Sequence, residues 1–194
     1  MTRVLGVVGS PRRQGNTHIL VGHVLAAAQA ASATTDLVML GDLKVRECDG
    51  CHACWKGQEC SKADDMVALY ERIAASDAIV FGTPVYWYGP TALMKAFLDR
   101  FVFFNCPQHR PMVRGKAAAL VVPFEEEDPA TAELLVEMFR RSLNWLEMTL
   151  AGVVLAPGAG ERGAVRSHEK ALAEATSLGT SMATDPRSDR LLSG

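Results

Sequence analysis

Short apolar runs alternate with helix-length segments along this chain, and that alternation constrains the fold more than any single motif. Arg3–Val8 (RVLGVV) is apolar and stops at Gly9, as a buried strand should. Asn16–Ala31 follows as an alanine-rich helix, and Thr35–Leu40 as a second strand. About twenty residues without clear period come next, a longer loop than compact domains usually carry. Helical period returns near Ala63, where Asp64 and Asp65 suit a helix N-terminus. Met66, Leu69, Tyr70 and Ile73 then share one face. Further strands are predicted at Ala78–Phe81, Ala117–Val122 and Val153–Ala156. Further helices are predicted from about Thr91, over Ala130–Thr149 and over Ser167–Ala183. Residues 1–185 read as one domain and 186–194 as a polar tail.

Strands alternating with helices call for a parallel sheet covered on both faces. The strands are continuous apolar runs, as burial on both faces requires. Five of them favour the α/β flavodoxin-like, doubly wound order 2-1-3-4-5. That order places a ligand beyond the carboxyl ends of the first and third strands. At 194 residues the chain is long enough to bury such a core. A formal net charge of -2 gives no electrostatic case for nucleic acid or an acidic membrane surface. No apolar run approaches the ~18 residues of a membrane span. The opening MTRVLGVVGSPRR reads as a strand and turn, not a signal peptide, so a cytoplasmic location is expected. Thiols there stay reduced.

The loop after the first strand reads GSPRRQGNT and runs straight into a helix. A helix N-terminus offers free N–H groups and the positive end of the dipole, which suits a phosphate. Ser10, Asn16 and Thr17 add neutral donors, and Arg12 and Arg13 add charge and planar donors. An ordinary capped turn would need neither arginine. The loop is not an ATP P-loop and not a dinucleotide fingerprint. A G-x-G-x-x-G does occur at Gly158–Gly163, but no strand follows to complete a βαβ unit, so it reads as a surface loop.

The loop after the third strand, GTPVYWYGP, sets Tyr86, Trp87 and Tyr88 in a row between Pro84 and Pro90. Aromatics often only pack. Beside a phosphate site they also offer flat walls to a planar cofactor. One phosphate on one helix N-terminus fits FMN best. The loop after the fourth strand is Pro123-Phe124 followed by Glu125, Glu126, Glu127 and Asp128. Four consecutive acids repel phosphate and read as a solvated, helix-starting run, which leaves NADH against NADPH open.

Four of the five cysteines lie in CDGCHACWKGQEC, spaced C-x2-C-x2-C-x5-C at Cys48, Cys51, Cys54 and Cys60. Thiolates so spaced can converge on an iron–sulfur cluster. Zinc, with His52 as an alternative ligand, a redox disulfide, or a loop that holds no metal are the other readings. Cys106 lies outside the motif and reads as a stray or buried thiol.

GSPRRQGNT (9–17), the cysteine loop, ADDM (63–66), TPVYWYGP (83–90) and LMKAFLDR (93–100) are collinear. Together they resemble the NADPH-dependent FMN reductase family, in its branch that includes iron–sulfur flavoproteins. The resemblance covers residues 1 to about 105 by motif and the remainder by element order. It implies noncovalent FMN, with the phosphate on Ser10, Arg12, Asn16 and Thr17, and the ring against Pro84, Val85, Tyr86 and Trp87. It also implies a homodimer or homotetramer, to which the aromatic face Phe97, Phe101, Phe103 and Phe104 is one candidate interface. Core burial is the other reading of that face.

The expected activity is an FMN-dependent NAD(P)H oxidoreductase that passes electrons to a small acceptor such as a quinone or free flavin. The flavin carries the chemistry, so no catalytic side chain is demanded. One alternative is an iron–sulfur flavoprotein, with a [4Fe–4S] cluster at the four cysteines exchanging electrons with a ferredoxin-like partner. A nonenzymatic flavin-binding sensor is another.

Overall fold

The computed structural model describes residues 1–185; the expected tail at 186–194 lies outside them. Five strands form one parallel sheet in the order β2-β1-β3-β4-β5. They are β1 (Arg3–Val8), β2 (Thr34–Met39), β3 (Ala78–Gly82), β4 (Ala117–Pro123) and β5 (Thr149–Ala156). The helices are α1 (Asn16–Ala30), α2 (Met66–Ala75), α3 (Ala92–Asp99), α4 (Val102–Asn105), α5 (Glu133–Trp145) and α6 (Glu169–Thr184). Every residue of the central strands β3 and β4 is buried, which is why their sequences are unbroken apolar runs.

Alternate side chains of each strand feed two separate cores. Val4, Val8, Val80 and Val121 pack against α1 and α6 on one face. Leu5, Val7, Phe81 and Leu120 pack against α2 to α5 on the other. Phe97, Phe101 and Phe104 belong to that second core, so burial decides against them as an interface. Phe103 stacks on Tyr70 at 4.0 Å and on His109 at 3.8 Å between ring centroids.

Two expectations need correction. The helix expected over Ala130–Thr149 begins with a 3-10 turn at Pro129–Ala132 and ends at Trp145. Glu147 takes a φ of 59°, with Arg110 and Arg114 holding its carboxylate, and β5 begins at Thr149, four residues before the expected Val153. The helix from Thr91 breaks after Asp99 into α3 and α4, with Arg100 at the break.

Candidate functional site

The loops after β1 and β3 meet at the carboxyl ends of the central strands. Gly9 N–H donates to Gly82 C=O at 2.7 Å, and the Thr91 hydroxyl donates to Gly9 C=O, so the two loops are joined. Thr91 also caps α3, accepting from Met94 N–H at 3.2 Å. The start of α1 sits against the same point. Its N-cap is Gly15, which supplies no side-chain acceptor, so the first N–H groups of the helix are left for a ligand.

Ser10, Arg12, Asn16, Thr17, Pro84, Val85 and Tyr86 line one cleft of about 130 Å³. That volume takes the narrow, phosphate end of a flavin-sized ligand; the flat end has to lie at the open mouth. The cleft therefore fits FMN in its donors and in its shape at the helix end. Two of the nine expected residues stand apart. Arg13 pairs with Asp42 at 2.8 Å and lines a wider neighbouring cavity with Pro11, Glu161 and Arg162. Trp87 is 97% exposed at the tip of a two-residue turn closed by mutual hydrogen bonds between Tyr86 and Gly89.

Asn16 takes a different part from the one expected. Its side-chain amide donates to Ala159 C=O at 2.7 Å and Glu161 C=O at 2.8 Å. Only its backbone N–H remains for a phosphate. The G-x-G-x-x-G loop at 158–163 is thereby tied to the loop after β1, and Arg162 donates to Arg13 C=O. Ala159 and Gly160 line the cleft, as do Pro123 at the end of β4 and Phe124 and Glu125 after it. From sequence alone both segments are expected at the surface. Their positions at the carboxyl ends of β4 and β5 were the available signal.

Under the other loop, Cys48, Cys51, Cys54 and Cys60 line one enclosed cavity of about 20 Å³, together with His52, Tyr70 and Arg100. All five cysteines are free thiols. Cys48 Sγ accepts from Gly50 N–H at 3.5 Å, Cys51 Sγ lies 3.1 Å from Ser61 Oγ, and Cys60 Sγ accepts from Arg100 at 3.2 Å. Burial, with Cys106 and Cys60 nearby, pushes the Cys54 thiol above its ordinary value. Cys106 is fully buried and donates to Cys54 C=O at 3.4 Å. Among the described residues no three His, Cys, Asp or Glu side chains are arranged to hold a single metal ion, which argues against zinc. The same arrangement does not fit a cluster either, since the cavity that the four thiols share, about 20 Å³, is smaller than an iron–sulfur core.

Asp64 and Asp65, expected as helix caps, mainly pin the cysteine loop. Asp64 accepts from Arg46 N–H at 2.9 Å and from Met66 N–H at 3.2 Å, and Asp65 accepts from Lys44 N–H at 2.7 Å. No described helix is long and apolar enough to cross a membrane.

An iron-sulfur flavoprotein of Archaeoglobus fulgidus is 32% identical over 122 residues, covering 63% of this chain and 54% of that protein. The chain spans about half the length of the curated relatives it matches. An FMN-dependent NADH-azoreductase of Bacillus anthracis, solved with FMN, superposes with a TM-score of 0.71 at 14% identity, covering 94% of this chain and all (100%) of that one. An archaeal flavodoxin superposes with a TM-score of 0.61 at 14% identity, covering 96% and 100% of the two chains. At such identities the superpositions establish the flavodoxin-like fold alone. The family model for NADPH-dependent FMN reductases matches residues 2–182, from β1 through every loop that lines the cleft and into α6. The chain belongs to the NADPH-dependent FMN reductase family.

Proposed function

We propose that residues 1–185 form an FMN-binding oxidoreductase domain that takes electrons from NADH or NADPH and passes them to a small acceptor such as a quinone or free flavin. The observation that carries this reading is the cleft itself. Two loops and an uncapped helix N-terminus converge at the switch point of a 2-1-3-4-5 sheet. Ser10, Arg12, Thr17 and the N–H of Asn16 would hold the phosphate, with Arg13 contributing charge from the adjoining cavity. Pro84, Val85 and Tyr86 would flank the ring, with Trp87 free to fold over it. Bound FMN supplies acceptance of hydride from nicotinamide and its onward release as electrons. The exposed Tyr86, Trp87 and Tyr88 also suit a homodimer or homotetramer contact at the cleft mouth.

The test is nicotinamide consumption by purified, FMN-loaded protein with a panel of quinones and free flavin. Turnover with either nucleotide is expected, and none with any acceptor sinks the proposal. Tight FMN binding without turnover would favour a sensor instead.

A second reading rests on the spacing of the cysteine motif and on the iron-sulfur flavoprotein relatives, while no described group is arranged to hold a metal. Four cysteines line one cavity, with backbone and guanidinium donors on their sulfurs. Cys48, Cys51, Cys54 and Cys60 would hold a [4Fe–4S] cluster, which supplies single-electron exchange with a ferredoxin-like partner. Cys51→Ser is expected to remove iron and spare FMN. A variant that keeps its iron counts against the cluster.

A further inference from the structure

The G-x-G-x-x-G segment, GAGERG at 158–163, is the motif that the flavin cleft leaves least explained. No strand follows it among the described residues, so it does not work as a βαβ dinucleotide turn. Gly158 and Gly163 take φ values of 69° and 85°, which a tight loop asks of glycine. Gly160, Glu161 and Arg162 of this loop line a second cavity of about 710 Å³, together with Arg12, Arg13 and Glu125. That volume lies within the ~300–1,000 Å³ of small-molecule sites. Arg12, Glu125 and Gly160 line the cleft of about 130 Å³ as well, so the two spaces adjoin. Arg12 N–H donates to Ser10 Oγ at 3.2 Å, which puts the junction beside the donors of the helix end. Pro84, Val85 and Tyr86, which would flank the flavin ring, line the cleft but not the cavity.

Arg12, Arg13 and the helix N-terminus already serve the phosphate of FMN, which leaves Arg162 unused. Arg162 donates to Arg13 C=O, and Arg13 pairs with Asp42 at 2.8 Å, so both side chains are held at the cavity. Their remaining guanidinium donors suit phosphate oxygens. Glu125 and Glu161 would repel a bare anion, but a carboxylate is a good acceptor for a ribose hydroxyl. Cations and carboxylates around one cavity match a nucleotide. We propose that this cavity is a subsite for the adenosine monophosphate half of FAD, so that the site takes the flavin dinucleotide as well as FMN. This rests on the flavin reading given above. FMN ends at its phosphate, and FAD continues from there through a second phosphate to ribose and adenine. The cavity begins where FMN would end. Arg12, shared by both spaces, would bridge the two phosphates. Arg162 would meet the second, and Glu161 would accept from the ribose. A nicotinamide dinucleotide carries the same diphosphate, but its reactive ring has to reach the flavin ring, at the end of the cleft that the cavity does not touch.

The experiment is calorimetric titration of the flavin-stripped full chain with FMN and, separately, with FAD, for wild type, Arg162→Ala and Glu161→Gln. Wild type is expected to bind FAD about tenfold more tightly than FMN, the worth of one charge-assisted contact to the second phosphate. Arg162→Ala should lose that preference and keep its FMN affinity. Glu161→Gln should lose about threefold toward FAD, as for one weakened hydrogen bond, and keep its FMN affinity. Arg162 and Glu161 are both exposed, so neither variant should disturb folding. Wild type that binds FMN but shows no preference for FAD overturns this assignment alone. An Arg162→Ala protein that loses both flavins equally also overturns it, because the arginine then only holds the loop after β1. If Arg162→Ala raises KM for NADH or NADPH and leaves FAD affinity unchanged, the cavity belongs to the nicotinamide cosubstrate and the assignment falls. Wild type that binds neither flavin overturns the flavin reading and this assignment together.

Discussion

At the mouth of the cleft, Trp87 and Tyr88 hold φ values of 50° and 61°. Left-handed backbone costs an ordinary L-residue about 1–2 kcal/mol, and glycine is the usual occupant of both central positions of such a turn. Two aromatics kept there in an exposed turn indicate a task beyond folding. Trp87→Gly and Tyr88→Gly should each raise stability by about 0.5–1 kcal/mol, because the relieved strain exceeds the entropy glycine adds to the unfolded chain. Urea midpoints check this, and lower midpoints would sink it. Turnover of nicotinamide with a quinone should fall in the same variants. Asp64 gives a second expectation. Burial alone would push its carboxyl up, but the Arg100 guanidinium and the Arg46 N–H outweigh that and hold it below its ordinary value. A folded value below the unfolded one of about 3.9 stabilises the protein fully above that pH. That contribution is lost as pH falls through the lower folded value. Wild-type stability should therefore drop on acidification in this window, and Asp64→Asn should flatten the drop. Equilibrium unfolding between pH 6 and 3 reads both.

Helix α1 sets where the cleft lies, and it does so through glycine. A Cβ on Gly82 would stand 2.4 Å from Val21 Cγ2 and 2.8 Å from Thr17 Cγ2, so α1 rests directly on the strand's backbone. Gly82→Val should cost about 1–3 kcal/mol by overpacking. It should also weaken FMN binding by displacing Thr17 and the helix N-terminus, as followed by flavin fluorescence. Gly22, on the same helix, meets nothing within 4 Å. Gly22→Ala should stabilise by about 0.5–1 kcal/mol and leave FMN affinity unchanged. The elements themselves were legible because buried strands and one-faced helices have different periods: β1 has its expected bounds, β3 runs one residue longer to Gly82, and α2 begins three residues after Ala63. Where no glycine or proline marks a turn, the reading failed. Glu147 enters the left-handed region without that signal, so α5 was drawn into β5. The cleft was legible for the same reason as β1 and β3, since each loop announces itself with Gly, Pro and Asn. Glu125 and Ala159 were not, because their part depends on which strands lie side by side, and no local pattern encodes that. Nor does spacing reveal that Asn16 spends its amide on carbonyls 143 and 145 residues away.

Across the whole molecule the two candidate centres share only part of their support: Val85 and Phe124 of the cleft pack with the core under the cysteine loop, and the helix end of the cleft with the other core. The loop after β1 leads into α1, whose buried face belongs to the core shared with α6. Cys60, Tyr70 and the residues that flank the cysteine loop pack with the core of α2 to α5. A parallel sheet separates the two, and its strands β1, β3 and β4 contribute alternate side chains to each. Local changes on one face should therefore leave the other centre in place, provided the sheet holds. FMN binding only the folded protein should stabilise it by about 2.7 kcal/mol when present at a hundred times its dissociation constant. That increment should persist undiminished in Cys51→Ser, even as iron is lost and the α2 face loosens. Conversely, Arg12→Ala should abolish most of the FMN-dependent increment while iron content stays at the wild-type value. Thermal unfolding of each variant with and without FMN, alongside iron analysis, separates the cases. If Cys51→Ser loses the FMN increment, the two sites are one cooperative unit, and the cysteine loop is part of the flavin site rather than a second centre.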